Sequence, residues 1–183
     1  FDYIRFPSDG NMRDIYYPFS EERIVSDPDM GKAEVMREFF QYLHNSLKDT
    51  GVIMSADLFG MTTTNPDDLN IGQILEYAEP YFDYLSPMVY PSHYPKGFNG
   101  WENPNKHVYD VVNFSMSKGV DRLIAASSTP LKLRPWLQDF NYGGNYGAKE
   151  VRAQIQATYD AGLTSWMLWN PSNRYTRGAL ENK

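Results

Sequence analysis

The feature that most constrains this chain is an alternation of short apolar runs with helically spaced apolar stripes, each run ending in polar and aromatic residues. Val52-Ile53-Met54-Ser55-Ala56-Asp57-Leu58-Phe59-Gly60 is a largely apolar run with one acid near its end, and it predicts a strand. Before it, Met36, Phe39, Phe40, Leu43 and Leu47 recur at helical spacing, and Gly51 supplies a stop. After it, Ile71, Ile74, Leu75 and Ala78 form a second helical stripe that ends near Pro80. Residues 83–90 read as a strand running into an aromatic loop that continues to Trp101. Pro104 opens a helix carrying Val108, Val111, Val112 and Met116, and 120–128 read as its continuation. Residues 132–140 make the next strand, although Pro135 is awkward inside one. A last helix with Val151, Ile155 and Tyr159 stops at Gly162, and 165–169 form the final strand. At the other end, Phe1–Phe6 reads as a strand closed by the turn cluster Pro7-Ser8-Asp9-Gly10, and the aperiodic stretch to Gly31 reads as a long loop.

Strand and helix in strict alternation predict an α/β fold with a parallel sheet and crossover helices. A doubly wound sheet would need a Gly-rich strand-to-helix turn, and none is present. A (β/α)8 barrel explains why every strand ends in polar and aromatic residues followed by a loop, because barrel sites lie at that face. A complete barrel needs about 250 residues. The 183 residues are therefore expected to supply part of one, roughly strands four to eight, with 1–183 as the C-terminal part of a single barrel domain. A chain that opens inside a strand is expected to lack a segment upstream. Its open edges carry an expectation of self-association.

Composition narrows the partners. The net charge is -6, which disfavours a phosphate backbone and argues against nucleic acid. No apolar run reaches the ~20 residues of a membrane-spanning helix. There is no cysteine, which excludes disulfides and thiolate metal sites without fixing the compartment. Aromatic residues make up 15% of the chain, and their flat faces suit both a core and a pyranose ring.

Two carboxylates stand out. Asp2 and Asp57 sit on neighbouring predicted strands, and alternation places Ser55 and Asp57 on one face, opposite Met54, Ala56 and Leu58. If that face lines the barrel, Asp57 points inward near the mouth. A buried, unpaired acid costs stability, which argues for a functional reason to keep it. The competing structural readings are a pair between Asp2 and Arg5, and a turn or N-cap role for Asp57. Tyr90 shares the inward face with Ser86 and Met88, as a hydrogen-bond donor or a core tyrosine. His93 extends that strand's loop. His44 and His107 lie on predicted helices, no histidine pair has metal-ligand spacing, and neither a metal nor a cofactor is expected. Trp169 and Asn170 close the last strand, where the indole is either the floor of a sugar subsite or a packed barrel residue. Gln138 and Asp139 face opposite ways in an ideal strand, so at most one points inward without a bulge. Asp139 is the reserve carboxylate.

These stretches also carry a resemblance. Phe1-Asp2-Tyr3-Ile4-Arg5-Phe6-Pro7, Ala56-Asp57-Leu58-Phe59-Gly60, Ser86-Pro87-Met88-Val89-Tyr90-Pro91-Ser92-His93-Tyr94, Arg134-Pro135-Trp136-Leu137-Gln138-Asp139-Phe140 and Trp166-Met167-Leu168-Trp169-Asn170-Pro171 resemble a family of bacterial barrel proteins related to glycoside hydrolases. The resemblance implies a barrel, a carbohydrate substrate and an extracellular or cell-envelope location. It implies a catalytic pair in Asp2 and Asp57, with Arg5, Tyr90, His93, Gln138, Asp139, Trp169 and Asn170 as substrate contacts. Glycoside hydrolysis usually needs two carboxyl groups flanking one bond, which agrees with the pair. The leading expectation is a glycosidase acting on a polysaccharide. A noncatalytic carbohydrate-binding barrel is the alternative, and a lyase or isomerase ranks behind both for want of a metal or phosphate motif.

Overall fold

The apolar runs between residues 55 and 169 pair into one parallel sheet of four strands: β1 (Ser55–Phe59), β2 (Tyr84–Val89), β3 (Trp136–Gln138) and β4 (Met167–Trp169). The helices are α1 (Glu21–Ser26), α2 (Gly31–Leu47), α3 (Leu75–Ala78), α4 (Val108–Ala125) and α5 (Ala148–Asp160). This computed structural model describes residues 1–180, so the last three residues of the 1–183 span lie outside the described residues.

Spatial order follows chain order, β1-β2-β3-β4, and all three pairings are parallel. A doubly wound sheet reverses its strand order at a switch point. Here nothing reverses, as in a barrel wall. Burial agrees: β1 alternates, with Ala56 and Leu58 fully buried and Ser55, Asp57 and Phe59 only partly so. Ala56, Leu58, Leu85, Val89 and Leu137 share one core cluster with Phe40 of α2, Val111, Val112 and Met116 of α4, and Ile155 of α5. The helices therefore cover one face, and the other face of the arc stays open. The fold is α/β, a partial (β/α)8 barrel.

Helix α2 bears out the stripe at Met36–Leu47, and Gly51 follows it with φ at 75°, the left-handed conformation glycine adopts cheaply. Helix α4 runs on to Ala125, as its periodicity predicts. Pro135 keeps β3 short. It interrupts the ladder between the isolated Leu85–Leu133 bridge and the Met88–Trp136 pair, because it has no N–H to donate.

Three expectations need correction. About five strands were expected, and the described residues form four, because Phe1–Phe6 is not a strand. Only Phe1 pairs with the β1 edge, its amino group donating to the Ser55 carbonyl (2.7 Å) and its carbonyl accepting from the Asp57 N–H (2.8 Å). Tyr3 then turns into the left-handed region (φ 55°), its N–H taken by the Asp2 carboxylate at 2.8 Å, and no ladder continues through that geometry. Ile4 and Phe6 are nonetheless buried, so their alternation reports insertion into the core. The stretch to Gly31 is not wholly loop, since α1 packs against α2 and the Tyr17 N–H donates to Glu21. The stripe from Ile71 is helical only from Leu75. Leu69 and Asn70 have positive φ, and Asp68 ties up the N–H groups of Asn70 and Gly72 in a turn. All four stripe residues are buried, although half of them stand on a loop.

Candidate active site

A cleft of about 510 Å³ opens on the uncovered face at the C-terminal ends of the strands. Alternation brings each wall there. Asp57 and Phe59 come from β1, Met88 from β2, Trp136 from β3 and Trp169 from the end of β4, and Tyr90 follows β2. Asp2, Tyr3 and Arg5 come from the segment crossing the β1 edge. That segment is tied down from below. Gln73, 1% exposed, accepts from the Phe59 N–H at 2.9 Å and donates to the Ile4 carbonyl at 3.2 Å. Gly60 lets β1 pass close to β2, because a Cβ there would meet the Met88 carbonyl oxygen at 2.5 Å.

The two acids share the cleft in different surroundings. Asp2 is exposed, and its carboxylate accepts from the Tyr3 N–H. Asp57 is half-buried and accepts from Trp136 Nε1 at 2.7 Å. Burial raises the Asp57 carboxyl above its ordinary range. The Trp136 hydrogen bond offsets that rise in part, and the charge of Asp2 adds to it. Tyr90 is buried, and its hydroxyl is held well above the usual phenol range, first by desolvation and then by the negative charges of Asp57 and Asp2. It stands in the cleft as a neutral donor facing both acids.

Arg5 does not pair with Asp2. Its guanidinium lies over the rings of Tyr3 (5.2 Å) and Phe59 (4.9 Å) and donates to the Phe6 carbonyl at 2.9 Å. Trp169 is 43% exposed and meets Trp136 edge-on, with ring centroids 6.0 Å apart. His93 sits exposed at the rim, with the rings of Tyr90, Phe140 and Tyr142 around it, and desolvation lowers its pKa.

The remaining predicted contacts stand behind the wall. Gln138 is fully buried, its amide accepting from Ser92 and donating to the Phe140 carbonyl. Asp139 is 2% exposed, and its oxygens accept from the Thr176 N–H (2.7 Å) and Oγ1 (2.6 Å). Asn170 donates to the Asp139 carbonyl and accepts from the Ser172 N–H. All three support loops around the cleft, and none of them lines it. Both Gln138 and Asp139 are buried because β3 ends between them, so strand alternation no longer governs Asp139.

Sequence reasoning overlooked Trp136, the hydrogen-bond partner of Asp57. Its signal was available: the spacing that singles out Gln138 puts Trp136 on the same face, one layer deeper. Gln73 carried no such signal, because its partners come from segments far apart in the chain.

The structure of the PgaB (BpsB) glycoside hydrolase domain from Bordetella bronchiseptica superposes on 84% of this chain with a TM-score of 0.57 and 16% sequence identity. The likeness is one of fold. The chain spans 43% of that structure's length, less than half. No curated protein matches this sequence. Among the described residues no helix is long and apolar enough to cross a membrane. Residues 1–175 match the family described as "Putative glycosyl hydrolase domain", and the chain belongs to that family.

Proposed function

We propose that this chain carries the acidic centre of a glycoside hydrolase that cleaves a polysaccharide glycosidic bond, with Asp2 and Asp57 as the catalytic pair. The observation that carries the reading is the placement of both carboxylates in one aromatic-walled cleft, each acting on the hydroxyl of Tyr90. Paired carboxyl groups in unlike environments are how one site holds a proton donor and an ionised partner at the same pH. Asp57, with its raised carboxyl, suits the general acid that protonates the leaving oxygen. Asp2, open to solvent, suits the ionised partner that meets positive charge developing on the sugar, directly or through a water. Trp169 offers an exposed ring for sugar stacking, and Tyr90 offers a donor to a ring or hydroxyl oxygen. The chain spans under half of the solved domain it resembles, so we assign turnover to a complete barrel and residues 1–183 to its C-terminal part.

The test is a screen of the complete barrel against defined polysaccharides and their oligosaccharides, with NMR reading the anomer first released. Asp2→Asn and Asp57→Asn should each lower kcat by about 10²–10⁴-fold while circular dichroism is unchanged. Binding without turnover would replace this reading with a noncatalytic carbohydrate-binding barrel. Near-native turnover in both Asn variants would remove the pair from the mechanism.

A further inference from the structure

The rim of the cleft contains a hydrogen-bond chain that the acid pair does not use. Gln138 Nε2 donates to the Phe140 carbonyl (3.0 Å), and Gln138 Oε1 accepts from the Ser92 backbone N–H (3.2 Å). A backbone carbonyl only accepts and a backbone N–H only donates, so these two contacts fix which end of the buried amide is oxygen. Ser92 Oγ lies 2.9 Å from that same Oε1. Two acceptors at that distance repel unless a proton sits between them, so the single hydroxyl proton of Ser92 points at Gln138. Ser92 Oγ also lies 2.9 Å from His93 Nδ1. Having spent its proton, the hydroxyl accepts there, and Nδ1 must be the donor.

We infer that Ser92 and Gln138 are positioning residues that hold His93 as its Nδ1–H tautomer, so that Nε2 presents a lone pair at the rim of the cleft for a hydroxyl donor of a bound glycan. The glycan half of this inference rests on the function proposed above. The rings of Tyr90, Phe140 and Tyr142 stand around the imidazole and restrict its rotation. The ionisable groups facing it are Tyr90 and Tyr142, and Asp2, Asp9, Asp57 and Arg5 line the same cleft. Desolvation favours the neutral ring. The arrangement is not a nucleophile with its base, because the serine proton is directed away from the imidazole. A neutral Nε2 is an acceptor and selects for a donor at that position. Protonation converts it into a donor, so recognition is lost as pH falls through the His93 pKa.

The experiment is a long-range 1H–15N correlation spectrum of the imidazoles across pH, with His93→Phe identifying the His93 signals against those of His44 and His107. The expected result is a pyrrole-type shift at Nδ1 and a pyridine-type shift at Nε2, titrating below the ordinary histidine midpoint of about 6.5. Ser92→Ala removes the acceptor for Nδ1–H, and the spectrum should move toward the Nε2–H form while the other two histidines stay put. A wild-type ring protonated at Nε2, or a Ser92→Ala spectrum with the same tautomer, overturns the inference whatever the enzyme proves to cleave. With any oligosaccharide found in the screen, Ser92→Ala and His93→Phe should raise KM several-fold and leave kcat within twofold. An unchanged KM in both variants also overturns it. If the screen finds no glycan, the spectra decide the inference alone and the failure belongs to the glycosidase reading.

Discussion

Replacing Asp57 with Asn should make the protein more stable at neutral pH while lowering the turnover proposed for the complete barrel. The side chain keeps its shape, and Trp136 Nε1 can still donate to an amide oxygen. The loss is the charge on the acceptor: a hydrogen bond to an ionised group contributes roughly 1.5–3 kcal/mol, and a neutral one roughly 0.5–1.5. The gain is relief from holding a carboxylate partly out of water and close to Asp2. The Asp57 carboxyl lies above its ordinary value even with the Trp136 bond counted, so the desolvation cost is the larger of the two. Asp57 is half-buried and partly screened by solvent, so the net gain should lie at the low end of single stabilising substitutions, about 0.5–1 kcal/mol. For a chain of this size each kcal/mol is worth about 2–4 °C in Tm. The sign follows from the direction of the shift. A carboxyl whose folded pKa is raised favours folding while protonated, below the unfolded value of about 3.9, and that contribution is lost as pH rises through the folded pKa. Wild type and Asp57→Asn should therefore have nearly equal stability at pH 3 and diverge by pH 7, with the variant ahead. Urea unfolding at several pH values measures this directly. A variant less stable than wild type at pH 7, or a gap that does not change between pH 3 and 7, would refute the reasoning.

Three further outcomes are expected. Trp136→Phe leaves Asp57 without its donor, so it should destabilise the fold by about 1.5–3 kcal/mol at pH 7, and by less at acid pH where the carboxyl is neutral, as read by urea unfolding. It should also move the acid–base limb assigned to Asp57 in the pH–rate profile upward. Trp169→Ala should raise KM by about 5-fold with little change in kcat, because an exposed ring that stacks acts equally on ground and transition states; a selective fall in kcat would contradict this. Asp139→Asn removes one acceptor from the Thr176 clamp at a nearly fully buried site, and it should cost about 1.5–3 kcal/mol with local loss of amide protection at 170–176 in hydrogen exchange.

Much of the architecture is legible in residue order because its causes are local. Alternation of apolar runs with helical stripes reflects backbone periods of 2 and 3.6, and α2, α4, β1 and β2 lie where those periods place them. Parallel pairing follows as well, since every strand is separated from the next by a crossover too long for a hairpin. The same alternation puts Asp57 and Met88 at the cleft, because a strand fixes which side each residue faces, and Tyr90 joins them one residue past the end of β2.

What the order of residues does not carry is whatever depends on a partner distant in the chain. Phe1–Phe6 has the pattern of a strand, yet Asp2 captures the Tyr3 N–H and the chain turns into the core after a single ladder residue. The bond from Trp136 to Asp57 spans 79 positions, and the clamp of Asp139 on Thr176 spans 37. No local period encodes either. Gln138 and Asp139 read as cleft residues by type and become supports because β3 ends between them. The residues available for chemistry, and the face they occupy, follow from the sequence because side-chain direction is a property of a few neighbouring dihedrals. Which of them meet, and which acid is desolvated, was decided by the tertiary structure, since charge, burial and hydrogen-bond partnership are properties of distance in space.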